Sequence, residues 1–128
     1  MNEFTTNASM NTPYINGSLI NGTIKMKGTF CLDDGEKFFK PFKDWIKIFC
    51  TTQRMELKIT LEFEKLSTAC SLVLLHSMKE IKKLAESKTV RFIWKYRVGD
   101  DQMKEMGEDF RVILGDVLEL REKVKLAS

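Results

Sequence analysis

The chain has 128 residues, 43% hydrophobic and 30% charged, with only 2 prolines and 7 glycines; this describes one compact soluble domain with its own core and leaves no room for a second. Lys and Arg number 21 against 18 Asp and Glu, a net charge of +3 that is too small and too mixed to argue for nucleic acid. Cys31, Cys50 and Cys70 are odd in number and far apart, without a C-x-x-C pair, so they read as small buried hydrophobes in a reducing compartment, excluding a disulfide framework and a zinc site.

Residues 1–12 are rich in Asn and Thr without periodicity and are expected as a disordered lead, with residues 13–128 as the single domain. The lead has no basic or apolar leader region, and no apolar run approaches the roughly 20 residues of a membrane span, so the cytoplasm is the expected compartment. From Tyr14, short apolar pieces are broken by Asn16-Gly17 and Asn21-Gly22. The second dipeptide signals a tight hairpin whose later arm alternates Ile24, Met26 and Gly28 with Thr23, Lys25 and Lys27. Between Asp33 and Cys50 the period becomes helical, with Phe38, Phe42, Trp45, Ile46 and Phe49 on one stripe. Pro41 lacks an N–H and crowds the preceding turn, so the helix proper is expected to start near Lys40.

Met55 to Glu64 reads as a half-buried strand, with Leu57, Ile59, Leu61 and Phe63 inward. Ser67 and Thr68 offer N-cap hydroxyls to a long helix striped by Leu74, Met78, Ile81, Leu84 and Ala85. Thr89 to Arg97 alternates again, with Val90, Phe92, Trp94 and Tyr96 on one face. Gly99-Asp100-Asp101 leads into a helix marked by Met103, Met106, Phe110, Ile113 and Leu114, and Val117 to Leu120 closes the domain as a short strand.

The predicted order is ββαβαβαβ, an α/β fold. Strands of a doubly wound sheet are covered on both sides and read as continuous apolar runs, whereas these carry one charged face each. The expectation is therefore a two-layer domain, a mixed β-sheet with its helices mainly on one face and Lys25, Lys27, Lys58, Glu62, Arg91 and Lys95 on the open side.

The catalytic inventory is thin. His76 is the single histidine; it stands beside the apolar stripe without a nucleophile pattern around it and reads as structural. No phosphate loop, dinucleotide fingerprint or zinc-hydrolase motif is present, and the acidic group Asp100, Asp101, Glu105, Glu108 and Asp109 lacks calcium-loop spacing. It reads as a cap and a helix surface, and the basic run Lys79, Lys82, Lys83, Lys88, Arg91, Lys95 and Arg97 reads as solvated faces. No enzyme, metal or cofactor is expected. An RNA platform would need exposed rings, and the parity of Phe92, Trp94 and Tyr96 places them with Val90 toward the core. The remaining feature is Leu66-Ser67-Thr68-Ala69-Cys70. Read from the residues alone it is a helix cap; a phosphate on Ser67 or Thr68 would also suit the positive end of the helix dipole and make it a switch.

Gly28, Phe39, Pro41, Asp44-Trp45, Leu66-Ser67-Thr68, Trp94-Lys95-Tyr96 and Asp101 with Gly107-Glu108-Asp109-Phe110 together resemble the SiaC-type regulatory phosphoproteins, relatives in fold of the STAS domains of anti-sigma-factor antagonists. The resemblance runs from Thr12 nearly to the end of the chain. It implies a STAS-like fold and a bacterial phosphoswitch whose unphosphorylated form binds and activates a GGDEF diguanylate cyclase, the source of cyclic di-GMP. A cognate Ser/Thr protein kinase modifies one threonine, and a PP2C-type phosphatase reverses the step. That threonine lies in a Leu-Asn-Thr-Ser-Ser segment of the family and falls here on Thr68. Ser67 replaces the Asn and Ala69-Cys70 the Ser-Ser, which makes Ser67 the competing candidate. Trp45, Trp94, Tyr96 and Phe110 are assigned to the scaffold. The alternative reading is a STAS-like module that docks an anti-sigma factor or a sensor without a cyclic di-GMP link. Neither reading involves nucleic acid or a membrane.

Overall fold

The computed structural model describes residues 3–50, 56–85 and 89–124. Met55, expected to open a strand, and Lys88 of the basic run lie outside the described residues. The elements are β1 (Glu3–Thr6), β2 (Tyr14–Ser18), β3 (Thr23–Phe30), α1 (Gly35–Cys50), β4 (Glu56–Leu66), α2 (Thr68–Leu84), β5 (Thr89–Arg97), α3 (Asp101–Leu114), a 3-10 turn (Gly115–Val117) and β6 (Leu118–Lys123). Six strands lie side by side in chain order, antiparallel from β1 to β3 and parallel from β3 to β6. Each parallel step is bridged by one helix. Right-handed crossovers that always advance in the same direction place every helix on the same side, which gives the mixed, two-layer α/β architecture that the charged strand faces imply.

The element order is βββαβαβαβ, one strand more than ββαβαβαβ. The added strand lies in residues 1–12, where a disordered lead was expected: Glu3–Thr6 pairs antiparallel with β2, and the Phe4 ring meets Phe42 at 5.7 Å and Trp45 at 5.9 Å between centroids. Asn16-Gly17 is not a turn. Gly17 is buried inside β2 beneath the Trp45 indole, where an added Cβ would lie 2.5 Å from Cη2. The hairpin turns instead through the four residues between Ser18 and Thr23, which face each other across the ladder.

Helix α1 begins at Gly35, ahead of the start expected near Lys40. Asp34 caps it, its Oδ1 accepting from the Lys37 N–H at 3.0 Å. Pro41 sits within the helix on its solvent side, where water can serve the carbonyl that its missing N–H leaves free. The buried stripe Phe39, Phe42, Trp45, Ile46 and Phe49 holds the helix across that point. Phe39 stacks on Phe30 of β3 at 4.9 Å.

In β4 the inward parity runs through Leu57, Ile59, Leu61 and Phe63 and then jumps to Leu66. Gly28 faces Phe63 but Thr29 faces Lys65, so Glu64 is an extra residue that bulges the strand and exchanges its faces. The bulge turns Leu66 back under the helices at the position where α2 begins. Leu84 and Ile113, expected on core stripes, are 47% and 51% exposed; the α2 stripe is Leu74, Met78, Ile81 and Ala85, and that of α3 is Met103, Gly107, Phe110 and Leu114. Cys70 is buried and Cys31 and Cys50 are half-buried, and none of the three is in a disulfide.

On the open face Lys27, Glu62 and Arg91 of the expected charges stand in ion pairs, joined by Glu64, Arg97, Glu119, Arg121 and Lys123. Glu62 meets Lys123 at 3.0 Å and Lys27 at 3.9 Å, Glu119 meets Arg121 at 2.6 Å and Arg91 at 3.4 Å, and Arg97 meets Glu64 at 2.8 Å. Burial alone would raise the Glu62 carboxyl, but the hydrogen bond and charge of Lys123, with the charges of Lys27 and Lys95, hold it below its ordinary value. The hydrogen bond and charge of Arg121, helped by Arg91 and Lys58, lower Glu119 against its slight desolvation. Ile93, on this same face, is only 1% exposed. It lies between Thr60 and Glu119 in the ladder, where long charged neighbours can cover it with their aliphatic stems. Phe92 and Trp94 point the other way into the core, as the parity of β5 requires.

Candidate functional site

The junction between β4 and α2 separates two hydroxyls that the sequence leaves equivalent. Ser67 is the N-cap, with φ −70° and ψ 159°, and its Oγ accepts from the Cys70 N–H at 3.2 Å. Its own N–H donates to the Phe30 carbonyl at 3.2 Å, which ties the junction to the end of β3. Cys70 is fully buried, its Sγ donating to the Leu32 carbonyl at 3.4 Å. Thr68 is the first helical residue and is exposed. Its carbonyl accepts from the Ser71 hydroxyl at 2.6 Å, while its own hydroxyl takes no part in the cap.

This division predicts a measurable difference. Ser67→Ala is expected to lower unfolding stability by about 1 kcal/mol through loss of the cap, and Thr68→Ala to change it by less than about 0.5 kcal/mol, as at other exposed positions. Urea denaturation of the two variants checks this; the reverse order would make Thr68 the structural hydroxyl.

Thr68 also stands on the wall of a groove of about 520 Å³ between α2 and α3. Leu66, Leu72 and Leu75 on one side and Met106, Phe110 and Ile113 on the other make it largely apolar, and Leu72 is 53% exposed. The charged residues lining it are Glu105 and Asp109, with no Lys or Arg among the lining residues. The first turn of α2 has no acidic side chain, so the positive end of that helix is uncompensated at Thr68.

The far wall is set by Trp94. Its indole Nε1–H donates to the Met103 carbonyl at 3.0 Å, and its ring lies 4.8 Å from that of Phe110. Gly107 lets α3 settle on it: a Cβ there would come within 2.5 Å of Trp94 Cδ1 and Leu120 Cδ2. Asp100 caps α3 by accepting from the Met103 N–H at 3.1 Å, and the Lys82 ammonium of α2 donates to the Leu114 carbonyl at its other end, 2.7 Å away. The scaffold assignments agree with this placement, with Trp45, Trp94 and Phe110 at 5%, 1% and 4% exposure and Tyr96 half-buried against the core.

Other singled-out residues are dispersed. His76 faces solvent, not the core beside which its position on the helix had placed it. The basic run splits between the two layers, Lys79, Lys82 and Lys83 on α2 and Arg91, Lys95 and Arg97 on β5. Of the acidic group, Asp100 caps a helix and Glu105 and Asp109 line the groove. Among the described residues no cluster of His, Cys, Asp or Glu could hold a metal ion, and no helix is long and apolar enough to cross a membrane. The groove itself was not anticipated. Its signal was the second apolar pair of α2, Leu72 and Leu75, off the core stripe and matched on α3 by Met106 and Ile113.

The family model for the SiaC family regulatory phosphoprotein matches residues 6–122. The fold is similar to that in the crystal structure of the diguanylate cyclase SiaD in complex with its activator SiaC from Pseudomonas aeruginosa, with a TM-score of 0.84, 18% identity, and coverage of 94% of this chain and 99% of that one. SiaC of Pseudomonas aeruginosa is similar at TM-score 0.78 and 18% identity, covering 98% of this chain and 100% of that one. Apo-SiaC from the same organism is similar at 0.72 and 21%, with 98% and 100% covered. No curated protein sequence matches.

Proposed function

The chain belongs to the SiaC family of regulatory phosphoproteins, and from this we propose that it is a non-enzymatic bacterial adaptor that binds and activates a GGDEF diguanylate cyclase until Thr68 is phosphorylated. A cognate Ser/Thr protein kinase writes the phosphate and a PP2C-type phosphatase removes it. The observation that carries the reading is the position of Thr68, on the wall of an apolar groove with its hydroxyl outside the cap. A structure of SiaC from Pseudomonas aeruginosa, described as the activator of the diguanylate cyclase SiaD, holds the two proteins in complex and supports the choice of partner.

The chemistry gives the switch its sign. An unmodified threonine presents a methyl and a small neutral hydroxyl beside Leu66 and Leu72, and an apolar helix of the cyclase can lie over them. Phosphorylation adds up to two negative charges. While the groove is open, the phosphate is favoured by the unpaired N–H groups of the first turn of α2. Once a partner covers the groove, the dianion must lose water beside Glu105 and Asp109 with no lining cation to receive it. An unpaired buried charge costs several kcal/mol, enough to release the partner.

Titrating the GGDEF diguanylate cyclase of the host with wild type, Thr68→Ala and Thr68→Glu tests this. Wild type and Thr68→Ala are expected to bind alike and to stimulate cyclic di-GMP synthesis, and Thr68→Glu to bind about tenfold more weakly or worse, since it carries half the charge of a phosphate. A Thr68→Glu protein that binds as tightly as wild type overturns the mechanism.

A further inference from the structure

The edge of the sheet at β6 is suited to a second copy of itself. Among the described residues β6 pairs with β5 alone and ends the strand order, so its outer row of N–H and C=O groups is open to another strand. Its sequence, Leu118-Glu119-Leu120-Arg121-Glu122-Lys123, can be tested against its own reverse. In an antiparallel pair, residues directly opposite share a face, so a two-fold axis must pass through a residue and not between two. Centred on Glu119 or Arg121, that axis sets like charges against each other. Centred on Leu120, it sets Glu119 against Arg121 twice on the open face and Leu120 against Leu120 on the helix side, with opposite Cβ atoms about 5 Å apart. In the single chain the same two charged groups satisfy each other along the strand, at 2.6 Å.

The ground beside the edge agrees. A groove of about 510 Å³ runs between α3 and β6, lined by Lys104, Glu108, Arg111, Val112, Asp116 and Leu120. It has two cations, two anions and two aliphatic side chains, and Val112 is 85% exposed. A surface of zero net charge with an exposed aliphatic centre is compatible with its own copy, as an isologous contact requires.

We propose that the protein forms a homodimer in which β6 pairs antiparallel with β6 of a second copy about a two-fold axis at Leu120, joining the two sheets edge to edge. The surface is separate from Thr68 and does not depend on the reading of that residue. Sedimentation velocity over a concentration series is the test, on the full chain and on Glu119→Arg, Arg121→Glu and the double variant, each first shown to be folded by circular dichroism. Wild type is expected to dimerise reversibly. Each single reversal puts like charges opposite each other at both sites and is expected to raise the dimer dissociation constant about tenfold or more, and the double variant to return it toward wild type. A wild type that stays monomeric throughout overturns the proposal, as does a dimer that neither single reversal weakens or that the double variant fails to restore.

Discussion

Replacing Trp94 with alanine is expected to lower the unfolding free energy by about 4 kcal/mol, the usual cost of emptying a fully buried aromatic site. The residue is 1% exposed and joins three things at once. Its ring packs on Phe110 and Phe63, its N–H engages the Met103 carbonyl, and its flank is the surface on which Gly107 rests. Removing the indole leaves a void under α3 and takes away the side-chain bond from β5 to the Met103 carbonyl of this helix. Urea denaturation with an unchanged slope measures the loss directly. Trp94→Phe keeps most of the ring but not the N–H, and is expected to fall between alanine and wild type. A loss below about 1.5 kcal/mol for Trp94→Ala would mean that α3 is held elsewhere. Because α3 is the far wall of the groove, the same variant is expected to weaken partner binding even where it remains folded.

Leu72→Asp separates the groove from the fold. Leu72 is 53% exposed and contributes little to the core, so stability is expected to stay within about 1 kcal/mol of wild type. Binding of the proposed diguanylate cyclase partner is expected to weaken about 30-fold or more, since a central apolar contact is replaced by a charge that must be desolvated beside Glu105 and Asp109. Calorimetric titration and a thermal melt of the same preparation give both numbers. A variant that binds normally would move the docking surface away from α2 and α3, with or without a role for Thr68.

Elements with a strong internal period were legible. The alternation in β4 and β5 and the aromatic stripe of α1 are each enforced by one-sided burial, and the charge on the outer face of the strands decided the layer arrangement. What failed depended on distant partners. Glu3–Thr6 is too short and polar to announce a strand; it is one because β2 offers an open edge and Phe4 finds Phe42 and Trp45. Asn16-Gly17 carries turn chemistry, yet Gly17 is required for the space the Trp45 indole fills. Pro41 is a local breaker overruled by the Asp34 cap and the buried stripe. The bulge at Glu64, which changes the parity ahead of Leu66, has no local signature.

The site was legible in part. That a hydroxyl caps α2 follows from sequence, but Ser67 and Thr68 are equivalent until the backbone of Ser67 is seen to be extended and its Oγ to face Cys70. The groove was hidden because α2 carries two apolar faces, one on the sheet and one toward α3, which blur a single helical period. The family resemblance points to Thr68, and the geometry shows that the cap is made by the Ser67 hydroxyl and not by that of Thr68.

We propose that the state of Thr68 governs the protein. Intact mass and peptide-level site mapping of protein isolated from its native host, with and without phosphatase treatment, tests it most directly. The expected result is a single phosphate that maps to Thr68 and disappears on treatment. A chain that carries no phosphate on Thr68 under any growth condition, or that carries it on Ser67, would contradict the account.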